Sequence, residues 1–139
     1  MKNKPIISFV GLTHLGLNYL AATSKKNFQV CGFDKNKFKI KNLNKGIVEY
    51  DEPGLKTVIK KNKKKITFTD DFRKLKNSKL VFISEDVRTD KENSSDLKSL
   101  RKLINFTIKF ISKKTKLIIL SQSKPGFVRS IKYDHNNLF

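Results

Sequence analysis

The chain has 139 residues, of which 37% are hydrophobic and 31% are charged, so its composition is that of one globular domain and excludes a disordered chain. Lys and Arg number 31 against 12 Asp and Glu, which gives a formal charge of +19. The single cysteine, Cys31, excludes a disulfide framework or a thiolate metal site within one chain, and no apolar run approaches the roughly 20 residues that span a bilayer.

Short apolar runs alternate with segments of helical periodicity along the chain. Strands are predicted at residues 6–10, 28–33, 66–68, 80–83 and 117–120. Helices are predicted at residues 15–24, at 37–44, from Pro53 into the lysine-rich run that follows, at 71–76, and after Asp96, a candidate N-cap. This alternation predicts an α/β fold: one Rossmann-like domain with a doubly wound, mainly parallel sheet over residues 1–132, and a polar, loose tail over residues 133–139.

The most informative stretch lies at the first crossover, where the first strand is followed by Gly11-Leu12-Thr13-His14-Leu15-Gly16 and the second strand ends at Asp34. Strand, glycine-rich turn, helix, strand and acid form the dinucleotide-binding arrangement. Gly11 permits the sharp turn, and Gly16 lets the helix pack closely on the sheet. The N–H groups at the helix start face a pyrophosphate, and Asp34 can accept hydrogen bonds from the hydroxyls of an adenosine ribose.

The glycine turn departs from this pattern at its middle position, where Thr13 stands in place of the usual glycine. A β-branched side chain there is expected to crowd the approach of the backbone to the phosphates. Two interpretations therefore stay open. The turn either binds a dinucleotide or belongs to a Rossmann-like module that has lost its ligand.

The positive charge suggests a nucleic-acid site, with its centre at Lys60-Lys61-Asn62-Lys63-Lys64-Lys65. However, the basic residues are spread along the whole chain and are overwhelmingly Lys, whereas the reading of base edges favours Arg. Most Phe residues fall at positions typical of the core. A solvated basic surface is favoured over nucleic-acid binding, which remains an alternative.

Two polar loops, 84–95 and 121–126, follow predicted strands and therefore lie at the carboxyl edge of the sheet, where ligands bind in open α/β folds. No His, Cys or carboxylate cluster has the spacing of metal ligands, so no metal site is predicted. The first residues lead straight into a strand without a secretory signal, and we expect a cytoplasmic protein with no membrane partner.

Several landmarks with gap-free spacing carry a family resemblance. They are the glycine turn, Asp34 with Lys39, Leu43-Asn44-Lys45-Gly46, Glu52-Pro53-Gly54-Leu55, Phe68-Thr69-Asp70-Asp71, Leu80-Val81-Phe82-Ile83, Ser94 with Asp96-Leu97, and Ser121-Gln122 with Gly126 and Arg129. With these residues, positions 6–131 resemble the N-terminal NAD-binding domain of the UDP-glucose/GDP-mannose dehydrogenase family.

The resemblance implies NAD as the cofactor and assigns residues to it. Gly11, Leu12, Thr13, His14, Leu15 and Gly16 would line the pyrophosphate, Asp34 and Lys39 would hold the adenosine ribose, and the loops would add Ser84, Glu85, Val87, Ser121 and Gln122. Gln122 stands where many members have a Thr that helps to position a catalytic water. The acid at Asp34 favours NAD over NADP. Val87 replaces an expected hydroxyl, and Glu85 with Asp86 would bring negative charge near the pyrophosphate.

Such enzymes oxidise the C6 alcohol of a nucleotide sugar to a carboxylate in two NAD-dependent steps, in the setting of polysaccharide biosynthesis. Their catalytic Cys and their sugar-binding residues lie in segments beyond this one, and Cys31, on the second strand, fits a small buried hydrophobe instead. We therefore expect a domain that binds NAD, is inactive alone, meets the nucleotide sugar only with further segments, and has an open oligomeric state. Whether the chain is itself an enzyme stays open.

Overall fold

The computed structural model of the protein describes residues 5–87 and 97–139. Its strands are β1 (Ile6–Val10), β2 (Gln29–Phe33), β3 (Ile66–Thr69), β4 (Ser78–Ile83) and β5 (Lys116–Ile119). Its helices are α1 (His14–Lys25), α2 (Lys37–Asn44), α3 (Leu55–Lys61) and α4 (Leu97–Ile108). Short 3-10 turns lie at Lys63–Lys65, Phe72–Leu75, Val128–Ser130 and His135–Asn137.

The five strands form one parallel sheet in the order β3-β2-β1-β4-β5. In the central register, Ser8 of β1 lies opposite Cys31 of β2 on one side and Val81 of β4 on the other. The chain runs outward from β1 in both directions, so the strand order reverses at β1. Ligands of doubly wound folds bind at the carboxyl end of the sheet beside such a reversal. The predicted α/β, Rossmann-like fold is confirmed.

Apolar side chains cover both faces of the sheet. Ile7 and Phe9 point to one face, which packs against α1, α2 and α3, whereas Val10 points to the other, which packs against α4. This burial on both sides explains why the strands read as nearly continuous apolar runs. The buried side of α4 packs on the second face. It is formed by Leu100, Ile104 and Thr107, which recur at helical spacing.

The structure differs from the predicted elements mainly at their ends. The helix expected to begin near Pro53 begins at Leu55, and the short helix expected at 71–76 is a 3-10 turn, Phe72–Leu75, capped by Asp71, which accepts the N–H of Arg73. The candidate N-cap Asp96, the landmark Ser94 and most of the loop 84–95 lie outside the described residues.

The tail expected to be loose is instead attached to the sheet. The N–H of Phe139 donates to the oxygen of Leu117, the N–H of Ile119 donates to the oxygen of Phe139, and Leu138 is buried against the second core face. The polar composition of the tail hid this contact, because main-chain hydrogen bonds to an edge strand need no particular side chain.

The described helices have at most 12 residues, and none of them is long and apolar enough to cross a membrane.

Candidate functional site

The glycine turn lies where β1, β2 and β4 end together. Gly11 has a φ of +92°, which is favourable for glycine alone, and its N–H donates to the oxygen of Phe33 at 2.9 Å. Its own oxygen accepts a 2.7 Å hydrogen bond from the hydroxyl of Ser84. The turn is therefore attached to both neighbouring strands, as the dinucleotide-binding arrangement requires.

Gly16 sets the distance between α1 and the sheet. A Cβ atom at this position would lie 2.6 Å from the hydroxyl oxygen of Ser84 and still closer to the main-chain oxygen of Gly11. Gly16 is therefore needed for close packing, which is the role that the sequence predicts for it.

Thr13 is the N-cap of α1. Its hydroxyl oxygen accepts the N–H of Gly16 at 3.3 Å, and its hydroxyl donates to the oxygen of Ser84 at 2.7 Å. The residue is buried, so the hydroxyl faces the protein interior. Within the described part of the chain, the N–H groups of His14 and Leu15 in the first turn have no acceptor, as is usual at a helix start. These two amides are available to an anion.

Asp34, at the end of β2, is buried beside the turn. Its Oδ2 atom accepts the N–H of Leu12 at 3.0 Å, and its Oδ1 atom accepts the N–H of Asn36 at 2.9 Å. The ammonium group of Lys39 lies 3.4 Å from Oδ2 and donates to the oxygen of Leu12 at 3.2 Å. Burial alone would lower the pKa of Lys39, but the attraction of Asp34, with Tyr50 and Glu49, raises it above its ordinary value.

The side chain of Glu85 lies next to Gly11 of the glycine turn. Its Oε2 atom lies 2.8 Å from the position that a Cβ atom on Gly11 would take. Burial raises the pKa of Glu85, the charge of Asp34 raises it further, and Lys35 and Lys39 partly offset this effect. A partly desolvated carboxylate therefore lies at the face of the turn, beside a second one.

The other predicted cofactor residues take several positions. The hydroxyls of Ser84 and Ser121 are used inside the protein, where Ser121 donates to the oxygen of Glu85 at 2.6 Å. Val87 packs against the second core face, whereas Gln122 is exposed. The side chain of Leu12 is fully buried, so this residue offers only its main chain to a ligand.

His14 contacts two residues that the sequence reasoning did not assign to the site. Its Nε2 atom lies 2.7 Å from Oε2 of Glu52, and its ring meets Tyr50 edge to face at a centroid distance of 5.5 Å. These contacts join the start of α1 to the segment before α3. Glu52 stood out only as a family landmark, and no periodicity linked it to His14.

The site edge carries no group of three or more His, Cys, Asp or Glu side chains that would hold a metal ion, and neither does the rest of the described chain.

Comparison with known proteins relates the chain to one family. The sequence model of the UDP-glucose/GDP-mannose dehydrogenase family, NAD binding domain, matches residues 5–135. An uncharacterised protein of Methanocaldococcus jannaschii is 30% identical over 129 residues, which are 91% of this chain and 14% of that protein. UDP-D-ManNAc dehydrogenase from Pyrococcus horikoshii superposes with a TM-score of 0.84 at 24% identity, over 91% of this chain and 30% of that one.

A second enzyme of known structure gives the same result. GDP-mannose dehydrogenase from Pseudomonas aeruginosa, solved as a ternary complex, superposes with a TM-score of 0.77 at 25% identity, over 90% of this chain and 30% of that one. The chain thus spans about a seventh of the curated relative and less than a third of either enzyme.

Proposed function

The chain belongs to the UDP-glucose/GDP-mannose dehydrogenase family as its NAD-binding domain, and from this premise we propose that the turn of residues 11–16, with Asp34 and Lys39, holds the ADP half of NAD. One observation carries the assignment to these residues. The turn, the start of α1 and the end of β2 meet at the carboxyl edge, beside the point where the strand order reverses.

The main chain of this site fits a dinucleotide. The amides of His14 and Leu15 are available to pyrophosphate oxygens at the positive end of the α1 dipole. Oδ2 of Asp34 meets the amide of Leu12 and the ammonium group of Lys39, whereas Oδ1 accepts only the amide of Asn36 among the described residues. A lone pair on Oδ1 therefore remains for a ribose hydroxyl. Asp34 would also repel a 2′-phosphate, which supports NAD over NADP.

Glu85 opposes an anionic ligand at the same place. Its carboxylate and that of Asp34 lie beside the position proposed for a doubly negative pyrophosphate, while Lys35 and Lys39 offset part of the repulsion. Rotation of the flexible Glu85 side chain, or its protonation, would relieve this conflict. We therefore propose that NAD binds weakly at neutral pH and more tightly in mild acid.

We further propose that the domain supplies the coenzyme site of a nucleotide-sugar 6-dehydrogenase, which oxidises the C6 alcohol of a UDP-glucose-like sugar to a carboxylate. Bound NAD would accept a hydride in each of two steps. Cys31 lies buried in β2 and is unsuited to act as the nucleophile. We propose that the nucleophile and the sugar contacts come from other segments, so that the 139 residues bind coenzyme without turnover. A function in polysaccharide biosynthesis and a cytoplasmic location of the protein stay predictions.

Titration calorimetry of the 139-residue chain with NAD and with NADP tests the coenzyme site. We expect measurable binding of NAD and weaker binding of NADP. NAD should also raise the Tm of the chain more than NADP does. Asp34→Asn should raise the affinity for NADP relative to NAD, whatever it does to stability. Absence of heat and of a thermal shift at millimolar NAD would overturn the proposal.

A second candidate function is an interaction module that binds no dinucleotide. The observation in its favour is the position of Glu85 over Gly11, where the module's own carboxylate takes space beside the turn. The titration separates the two candidates. If NAD binds neither to the natural chain nor to Glu85→Gln, the interaction module is the better description.

A further inference from the structure

The topology sorts the charges of this chain onto opposite edges of the sheet. Helices of a parallel α/β fold run against the strands, so the segment before each strand lies at the amino edge. Four such segments, at 25–26, 60–65, 74–79 and 109–116, hold two, five, three and four lysines, respectively, and no Asp or Glu. These lysines, which are scattered in sequence, therefore gather along one edge of the molecule, whereas the lysines of the segment 35–45 follow β2 and are not part of this group.

Most of the acidic residues in the part of the chain that the structure describes lie at the other edge. Asp34 follows β2, Asp70 and Asp71 follow β3, and Glu85 and Asp86 follow β4. Glu52 contacts His14 at the start of α1, which places it at the carboxyl edge too. Two described residues are exceptions. Asp134 acts on Tyr133 near the start of β5, and Asp71 pairs with Arg73, just before the lysine-rich segment that precedes β4. The amino edge is thus strongly cationic with little internal compensation.

A groove of about 790 Å³ lies at the amino ends of β4 and β5. Its lining includes Arg73, Lys76, Lys79, Lys109 and Lys114 and contains no acidic residue. Arg73 pairs with Asp71, but the four lysines have no carboxylate partner among the described residues. Four ammonium groups that no carboxylate neutralises repel each other around one concave surface, and an anionic ligand would relieve that repulsion.

Aromatic rings accompany the charge at this groove. Phe110 is part of its wall, and Phe106, which is 45% exposed, lies beside it with ring centroids 5.2 Å apart. Both rings also pack on Phe72, and the ammonium group of Lys109 lies 5.8 Å from the centre of the Phe106 ring. The exposed parts of the two rings remain for stacking with the bases of a single-stranded nucleic acid, whose phosphates would meet the lysines. A membrane surface would favour a protruding apolar face, and a free phosphate would not need the rings.

We propose that the amino edge, centred on this groove, binds single-stranded nucleic acid. The proposal is independent of the coenzyme site, which lies at the opposite edge. It also differs from the expectation formed on the sequence, which favoured a diffuse basic surface because the lysines are spread along the chain.

The test measures the anisotropy of a fluorescein-labelled oligo(dT) of about 20 nucleotides with the natural chain and two charge-matched triple variants. The edge variant carries Lys76→Gln, Lys79→Gln and Lys109→Gln. The control variant carries Lys37→Gln, Lys41→Gln and Lys124→Gln, three exposed lysines outside the groove. At about 100 mM KCl we expect the edge variant to bind at least tenfold more weakly and the control variant less than threefold more weakly.

Two further readouts support or overturn the proposal. The slope of log affinity against log salt should fall by about 2 in the edge variant, because three phosphate contacts are lost. Phe110→Leu should weaken binding at least threefold while leaving that slope unchanged. If the edge variant does not fold, Lys109→Gln alone takes its place. Equal losses in both triple variants, no binding of the oligonucleotide, or preference for phosphatidylserine vesicles over the oligonucleotide would each overturn it.

Discussion

The hydroxyl of Thr13 donates a 2.7 Å hydrogen bond to the main-chain oxygen of Ser84, at the point where β4 ends. The same hydroxyl oxygen accepts the N–H of Gly16 and so caps α1. Thr13 thus replaces the glycine expected in the turn and gains a structural role there. Two parts of this side chain have opposite effects. The methyl group is expected to crowd the phosphates, whereas the hydroxyl stabilises the fold through its hydrogen bonds.

Substitutions at Thr13 separate these two effects. Thr13→Ser keeps the hydroxyl and removes the methyl group, so we expect stability within about 0.5 kcal/mol of the natural chain and tighter NAD binding. Thr13→Val keeps the shape and removes both hydrogen bonds, so we expect a loss of about 1–2 kcal/mol. Urea unfolding and NAD titration measure the two quantities. Unchanged NAD affinity in Thr13→Ser would show that the methyl group does not crowd the phosphates.

Glu85 is expected to make NAD binding depend on pH. Its pKa is raised from the ordinary value of 4.5, by burial first and by Asp34 second, so its charge appears as the pH rises through the raised value. NAD affinity should fall over that same range. Glu85→Gln should flatten the profile and tighten binding at neutral pH by about threefold to tenfold.

The same variant makes a prediction about stability. A carboxyl group with a raised pKa in the folded state stabilises the fold below its unfolded pKa and loses this contribution as the pH rises through the folded value. Glu85→Gln should therefore have a higher Tm than the natural chain at neutral pH, without any ligand. Glu49→Gln, an exposed carboxylate with the same change in charge, is the control and should show a smaller change in both measurements.

Gly16 is expected to tolerate no side chain. Because an added Cβ atom would meet the hydroxyl oxygen of Ser84 and the oxygen of Gly11, Gly16→Ala should push α1 away from the sheet and cost about 2–3 kcal/mol. Gly46→Asn is the matched control. Gly46 has a φ of +80° and open space around it, and Asn tolerates this conformation, so the loss should stay below about 1 kcal/mol. Chemical unfolding of both variants measures the difference, and equal losses contradict the packing role of Gly16.

Cys31 is expected to be chemically inert in the folded protein. Burial raises the pKa of its thiol to about 11, despite an opposing hydrogen bond with Ser8, so almost none of it is thiolate at neutral pH. Reaction with an aromatic disulfide reagent at about pH 8 should be at least 100-fold slower than in concentrated guanidinium chloride. Rapid labelling of the folded chain would contradict both the burial of Cys31 and the exclusion of this residue as a nucleophile.

The sequence predicted the regular part of the fold well. All five predicted strand runs are strands, because residues buried on both faces of a parallel sheet must be apolar throughout and this pattern survives in a single sequence. The helix ends were less predictable. α3 begins at Leu55 rather than near Pro53, and the segment at 71–76 is a 3-10 turn, because capping by Gly54 and by Asp71 depends on local geometry that composition does not report.

The glycine turn and Asp34 were predicted together, since their types and spacing follow from one crossover unit. The contacts of Thr13 with Ser84, of Glu85 with the turn, and of His14 with Glu52 were not. Each of the three joins residues at least 38 positions apart. No periodicity in the chain links positions that only the meeting of separate strand ends and loops brings together.

The net charge of the chain follows from its sequence, whereas the location of the charge follows from its fold. Composition alone established that the chain is strongly cationic, since the count of ionisable side chains is independent of their arrangement. Where the charge lies was decided by the fold. Four lysine-rich segments precede strands, whereas five acids closely follow strands. Parallel strands bring all such starts to one edge and all such ends to the other.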